Sequence, residues 1–392
     1  MTETVLAGGL RTGLGAFGGS LSRLDMTDVA GRTAAACVAS AGIAPEKVDH
    51  IVFTTTVPSD RDSLFAARVV GVKSGIPESA GALGVIRACA SGLQAIISAG
   101  QQVDSGHSRI AIAGGAESYS RAPHAITTLR GGVARGPGQI EDMLDWAYRC
   151  PFSQEYMGDT AENLADDYGY DREAMDAWGA MSQERALAAQ SSGFLARQIT
   201  PITIKTRSGS VVFDTDECPR ADATAEKLAR LRPAFREGGR VTAGNSSTVN
   251  DAAGFMLVGN RAALEAENVA PRARIRDWTV VGVPARIMGH GPVPAITALL
   301  EKTGLSIADI DYFEINEAFA AVNVHAEAQL GIPRDLHNLY GGGISLGHPP
   351  GVTGVRMALT AMQHLEDTGG RRAILSMCLG AGQGMALLLE RV

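Results

Sequence analysis

The chain has 392 residues, enough for two or three hydrophobic cores rather than one, and its 45% hydrophobic and 20% charged content is that of a soluble globular protein. A net charge of −7 excludes a general nucleic-acid surface, which would be basic, but leaves room for an anionic small ligand held by a few arginines. No apolar run approaches the roughly 18 residues of a membrane span. The start, Met1-Thr2-Glu3-Thr4, has no signal-peptide pattern, and the five cysteines (37, 89, 150, 218, 378) show neither a disulfide framework nor zinc-site spacing, so a reducing cytoplasm is expected.

The first expected element is a strand at Thr4 to Ala7, running into a Gly-rich turn through Gly19. A helix fits Met26 to Ala41, with Asp25 or Thr27-Asp28 near its start. Asp49 to Thr54 is a short β-branched apolar run, hence a strand, and a helix fits Ser63 to Gly75. Cys89 lies just before a helical pattern of Leu93, Ile96, Ile97 and Gly100, and Arg109 to Gly115 is a buried strand ending in glycines. Strands alternating with helices predict an α/β domain with a largely parallel sheet.

The middle of the chain, 121–245, differs. It holds a Gly/Pro/Arg-rich stretch (Arg130 to Gly138), two helical patterns (Thr160 to Tyr168 and Arg172 to Gln190) and a strand pair near Ile202 and Val211 to Phe213. It reads as an inserted loop domain over an α/β core. The last third repeats the order of the first. Asp311 to Ile315 matches Asp49 to Phe53, and Ala373 to Met377 followed by Gly380 and Gly382 matches Ile110 to Gly115. Cys89 falls 40 residues after Asp49 and His348 falls 37 after Asp311, each at a helix start. An internal duplication follows: an N-terminal half over 1–120, completed by about 246–270, and a C-terminal half over 271–392.

A thiol needs ionising before it attacks, and a helix N-terminus favours thiolate, so Cys89 suits a nucleophile, although a lone Cys before a helix is more often a small buried core residue. His348, in Gly347-His348-Pro349, suits a base presented by a sharp turn, or a turn histidine in solvent. Cys378, in Ser376-Met377-Cys378-Leu379-Gly380, is a second proton carrier or a buried Cys, and N–H groups at such a turn can receive an oxyanion. Asn316 fits a cap for the helix opened by Glu317-Ala318-Phe319, and its amide also suits holding a water or an oxyanion.

Together these segments resemble the thiolase family over nearly the whole chain, nearest the bacterial biosynthetic thiolases (acetoacetyl-CoA thiolase or beta-ketothiolase) that join two acetyl-CoA molecules. The resemblance runs through Arg11-Thr12, the Cys89 segment, Gly114 to Ser118, Met157 to Asn163, Val241 to Ser247, Asn250-Asp251, Gly291 to Ala295, Asn316 to Ala320, the Gly-His-Pro turn and the Cys378 turn. It implies two βαβαβαββ halves in α-β-α-β-α layers, with the inserted loop domain, and a homotetramer built as a dimer of dimers. It implies acetyl-CoA C-acetyltransferase activity by ping-pong kinetics through an acyl-Cys89 intermediate, with coenzyme A as substrate and no metal or redox cofactor.

His348 would accept the Cys89 proton, and Cys378 would take or return the methyl proton of the second acetyl-CoA. His348 and a water on Asn316 would stabilise the enolate, and the N–H groups of Cys89 and Gly380 would form a second oxyanion hole. For coenzyme A the pattern maps onto Arg220, Phe235, Ala243, Ser247, Ala318 and Phe319, with Arg220 at the anionic nucleotide end. Met157 and Met288 would border the acyl pocket and favour short unbranched acyl groups. Two other readings stand beside this one: a degradative 3-ketoacyl-CoA thiolase for longer or unusual chains, and a catalytically weak binding or assembly subunit.

The chain departs from the family pattern at several places. Ile86 stands where Asn is usual, Pro350 where an aliphatic residue is, Tyr340 for a common Asn, Tyr156 for a His expected to meet pantetheine, and Gly13 for a Pro. His290 takes an apolar or small place and is expected, with Ile86, to reshape the acyl pocket or its electrostatics.

Overall fold

The computed structural model describes residues 3–133, 135, 136, 138–207 and 209–392. The N-terminal half runs β1 (Thr4–Arg11), α1 (Met26–Ser40), β2 (His50–Thr54), α2 (Ala66–Lys73), β3 (Gly81–Gly84), α3 (Ser91–Asp104) and β4 (Ile110–Ser118). An inserted stretch carries α4 (Met143–Tyr148), α5 (Met157–Tyr168) and α6 (Arg172–Ser191), and then β5 (Asn250–Asn260) closes the half. The C-terminal half runs β6 (Ala273–Gly282), α7 (Pro292–Thr303), β7 (Tyr312–Ile315), α8 (Ala320–Leu330), α9 (Pro350–Thr368), β8 (Arg372–Leu379) and β9 (Gln383–Arg391).

The strand order is β7-β8-β9-β6-β1-β5-β4-β2-β3, with the short pair Gly15–Ala16 hydrogen-bonded to β5. The order within one half mirrors that in the other, and the halves meet where β1 pairs with β6 through Val5–Arg274 and Leu6–Ala273. The sheet is mixed rather than largely parallel. β2 is parallel to β3 and β4, and β7 to β8, but β4–β5, β5–β1, β8–β9 and β9–β6 are antiparallel. The reason is local at β8–β9: a turn of only Gly380 to Gly382 reverses the chain, with Ala381 at φ 68° and Gly382 at φ 82°, and so short a connection joins only antiparallel strands.

Three apolar clusters define five layers. One packs α1 and α2 on the outer face of the N-terminal half, through Val29, Val38, Val70 and Phe255. A second packs α7 and α8 on the outer face of the C-terminal half, through Ile296, Leu299, Val322 and Leu388. Between them α3 and α9 share a core with both halves, including Leu93, Ile96, Val355, Leu359, Met256 and Leu387.

The C-terminal half lacks a counterpart to β3. Its place is held by one parallel bridge, Phe313–His337. Asn338 explains the stop: its φ is 49°, outside strand geometry. Its side chain then substitutes for the ladder, accepting from Ile315 N at 2.9 Å and donating to Ile315 O at 2.8 Å.

The segment after Arg11-Thr12 anchors the insertion. Buried Arg11 makes a two-pronged bond to Asp216 at 2.6 and 2.9 Å, so β1 grips a loop two hundred positions away.

Helices α3 and α9 touch at glycine. A Cβ on Gly92 would lie 3.0 Å from Gly351 O, and one on Gly354 would run into the backbone N of Leu93. Gly354→Ala is therefore expected to cost at least about 2 kcal/mol, whereas Gly8→Ala, which meets nothing within 4 Å, stays within about 1 kcal/mol. Chemical denaturation of both variants measures the contrast.

Candidate active site

The Cys89 turn follows β3 directly. Ala88 adopts φ 42°, a left-handed conformation that costs an alanine about 1 kcal/mol or more. Ser91 stabilises it, accepting from Arg87 N at 2.8 Å and donating to Ala88 O at 2.7 Å. Cys89 stands two residues before the first residue of α3, and His348 stands two before the first residue of α9. The glycine contact between those helices brings both residues into one cavity of about 260 Å³.

That cavity is lined by Cys89, His348, Gly380, Met157, Met288, Ser247, Ala318 and Phe319, all named from the sequence. Its remaining walls are Thr56, Ile86, Ala88, Tyr119, Ala147, Tyr148 and Pro350. An outer cavity of about 380 Å³ shares Met157, Tyr148, Ser247 and Phe319 with it and adds Tyr156 and Phe235. Phe235 stands edge-on to Phe319, with ring centroids 6.1 Å apart. Arg220 and Ala243 are exposed and line neither cavity. Cys378 and Asn316 are fully buried behind the wall, Cys378 at the end of β8 before the Gly380 turn.

Asn250 Oδ1 accepts from His348 N at 3.0 Å and fixes the turn. The His348 ring has a defined tautomer. Thr353 Oγ1 spends its proton on Pro349 O at 2.9 Å, so it accepts at 2.7 Å from Nδ1–H of His348. Nε2 is left with its lone pair, 3.3 Å from Asn316 Nδ2. Asn316 does not cap a helix: α8 starts at Ala320 after Phe319. It aims at the histidine instead, and its Oδ1 is buried without a protein partner among the described residues. Glu317 holds this turn by accepting from Trp178 Nε1, Ser182 Oγ, Asn338 Nδ2 and Ile344 N at 2.6–3.2 Å. These bonds press α6 onto both the Asn316 and His348 loops.

Burial sets the electrostatics. It depresses His348 to about 4, so the imidazole is neutral. It raises the thiol of Cys378, with Cys89 nearby adding to the effect. Cys89 keeps some exposed surface toward the cavity, yet protein crowds its sulfur and raises its pKa, against hydrogen bonds from the N–H groups of Gly380 and Cys89. The pull of the helix start toward thiolate is therefore outweighed by desolvation, and Cys89 rests as a thiol. Those two N–H groups already point at the sulfur, where an oxyanion on an attached carbonyl would form.

His290 was expected to reshape the pocket. It lines neither cavity, because its Nδ1 pairs at 2.7 Å with Nε2 of buried His325, which contacts Tyr170 OH at 3.0 Å. Ile86 does reach the inner cavity. Thr56, Tyr119 and Tyr148 had no sequence signal beyond Tyr119 following the Gly-Gly-Ala-Glu-Ser run.

Residues 4–262 match the family described as "Thiolase, N-terminal domain" and residues 269–391 match "Thiolase, C-terminal domain". The chain belongs to the thiolase family. It is 41% identical to the beta-ketothiolase BktB of Cupriavidus necator, across 100% of this chain and 99% of that one. It is 40% identical to a beta-ketoadipyl-CoA thiolase of Pseudomonas aeruginosa, over 100% and 99%. The crystal structure of the Bacillus anthracis acetyl-CoA acetyltransferase superposes with a TM-score of 0.97 at 39% identity, covering 100% of this chain and 99% of that one. This thiolase is an acyltransferase acting on coenzyme A thioesters. Among the described residues no helix is long and apolar enough to cross a membrane.

Because Cys89 rests as a thiol whose pKa lies above the ordinary 9.0, its thiolate fraction grows about tenfold per pH unit up to pH 9. Alkylation of Cys89 by iodoacetamide, followed by peptide mass, is expected to accelerate through that range. A plateau by pH 7 is the result that a resting thiolate–imidazolium pair would give instead.

Proposed function

We propose that this thiolase makes acetoacetyl-CoA from two acetyl-CoA, and cleaves it in reverse, through an acyl group on Cys89. The observation that carries this reading is the shared cavity of Cys89, His348 and the Gly380 turn, with Cys378 and Asn316 directly behind it. The Cys89 proton passes to Nε2 of His348 as sulfur adds to the thioester carbonyl, and the oxyanion meets the N–H groups of Cys89 and Gly380. Collapse breaks the bond to coenzyme A, whose thiolate takes the Cys378 proton. Cys378, now a strong base in apolar surroundings, removes a methyl proton from the second acetyl-CoA. The enolate oxygen accepts a hydrogen bond from Nε2–H of His348, beside Asn316, and the proton stays on the imidazole. The enolate carbon then attacks the acyl group, and Cys89 leaves and regains its proton from His348. Each charge forms only beside a group placed to meet it, so no metal or redox cofactor is required.

Met157 and Met288 narrow the inner cavity and Phe235, Ser247, Ala318 and Phe319 line the approach, which suits pantetheine reaching Cys89 from the outer cavity. Arg220 and Ala243 serve the nucleotide end on the surface. The enzyme works in the cytoplasm as a dimer of dimers. Support for assembly comes from β3, an edge strand, flanked by Leu64, Phe65 and Ile86 at 87%, 69% and 70% exposure. The inserted stretch also exposes Leu129, Ile140 and Phe152. Ile86 belongs to both the apolar face and the inner cavity, so a partner on β3 would close the cavity's outer wall.

Intact mass after mixing with acetoacetyl-CoA is expected to show one added acetyl group on the wild type and none on Cys89→Ser. Folded wild type that stays unmodified is the outcome of a binding subunit. For assembly, Phe65→Asp is expected to reduce the tetramer to smaller species in sedimentation velocity, and an unchanged tetramer removes the β3 edge from the interface.

A further inference from the structure

The acyl cavity carries three hydroxyl side chains that the transfer chemistry does not use. Thr56, Tyr119 and Tyr148 all line it. Thr56 Oγ1 lies 2.8 Å from Glu117 Oε1 and 2.9 Å from Tyr119 OH. Glu117 is buried and also accepts from Thr56 N at 2.8 Å and Gly351 N at 3.1 Å. With the carboxylate accepting the Thr56 proton, Tyr119 donates to Thr56 and turns a lone pair to the cavity. Across from it stands Tyr148, its ring edge-on to Tyr119 at 6.1 Å. No hydrogen bond engages the Tyr148 hydroxyl among the described residues. One wall thus offers an acceptor and the other an uncommitted hydroxyl.

We propose that Tyr119 and Tyr148 determine specificity, selecting acyl groups that carry a hydroxyl on the tail. This rests on the acyl-Cys89 reading and names the substrate class of the same site. A hydroxyl is both donor and acceptor, so it satisfies Tyr119 and Tyr148 together. It also survives a reversal of the Glu117–Thr56–Tyr119 chain. Burial raises Glu117 to about 7, and protonated Glu117 would donate to Thr56, leaving Tyr119 to present its proton. A keto or ether oxygen matches only one of these states, and an alkyl tail leaves the Tyr148 hydroxyl and the cavity-facing side of the Tyr119 hydroxyl without a partner. A carboxylate tail is disfavoured. The cavity has no Lys or Arg in its lining, and Glu117 stands behind one wall. This chain therefore parts from its relative named for beta-ketoadipyl-CoA.

The transfer is the one given above. The Cys89 sulfur bonds to the thioester carbon, the bond to coenzyme A breaks, and coenzyme A leaves as its thiol. The test follows that half-reaction by quenched intact mass of the full chain, using 3-hydroxybutyryl-CoA, butyryl-CoA and succinyl-CoA as acyl donors, which share a four-carbon chain. Wild type is expected to acylate about tenfold faster with the hydroxylated donor than with butyryl-CoA, and slowest with succinyl-CoA. The hydroxyl preference is expected to fall toward unity in Tyr148→Phe and in Tyr119→Phe. A wild-type ratio of one or below overturns the proposal, as does a ratio that persists in both variants. Failure of the underlying reading shows separately, because acetoacetyl-CoA would then also leave Cys89 unmodified, and the specificity proposal would fall with it.

Discussion

The contact between α3 and α9 is the constraint on which the site depends. The two helices lie between the sheet halves, and glycines at Gly92 and Gly354 let their backbones approach until no side chain fits between them. Gly115 on β4 extends the same contact, since a Cβ there would lie 2.6 Å from Gly351 O. With the helices pressed together at their starts, the turns before them open into one space. Cys89 and His348, the proposed nucleophile and base more than 250 positions apart, therefore share a cavity because of backbone packing, before any polar interaction between them.

Electrostatics at the site run against the simplest reading of that geometry. Two helix N-termini facing one cavity suggest a resting ion pair. Burial wins instead, holding His348 neutral and keeping the thiols of Cys89 and Cys378 protonated. In the proposed mechanism charge then separates only with substrate bound, when the thioester oxygen gives the N–H groups of Cys89 and Gly380 something to stabilise. Around this core, polar side chains do the positioning: Asn250 holds the His348 backbone, Thr353 fixes its tautomer, and Glu317 joins the inserted helix α6 to the Asn316 and His348 turns.

Much of the fold was legible because its signals are local. The alternation of β-branched runs with helical patterns, and the matched spacing of Cys89 and His348, both survive in three dimensions. The helix expected from Ser63 to Gly75 is an α-helix only over Ala66–Lys73, behind a short 3-10 turn at Ser63–Phe65. The missing strand of the second half was not legible, since it depends on the Asn338 side chain reaching Ile315, a contact across 23 positions. His290 failed as a pocket residue for the same reason. Its partner, His325, is 35 positions away on α8.

Sequence alone determined the duplicated α/β architecture and the family, and it named the side chains proposed to react. Those follow from residue type and spacing, and the chemistry of a thiol or an imidazole travels with the residue. Tertiary structure decided their protonation states, the antiparallel half of each sheet unit, and the walls of the acyl cavity. Burial, strand pairing and the meeting of Thr56, Tyr119 and Tyr148 from three separate segments are properties of what packs around a residue. None of them is written in the residues beside it.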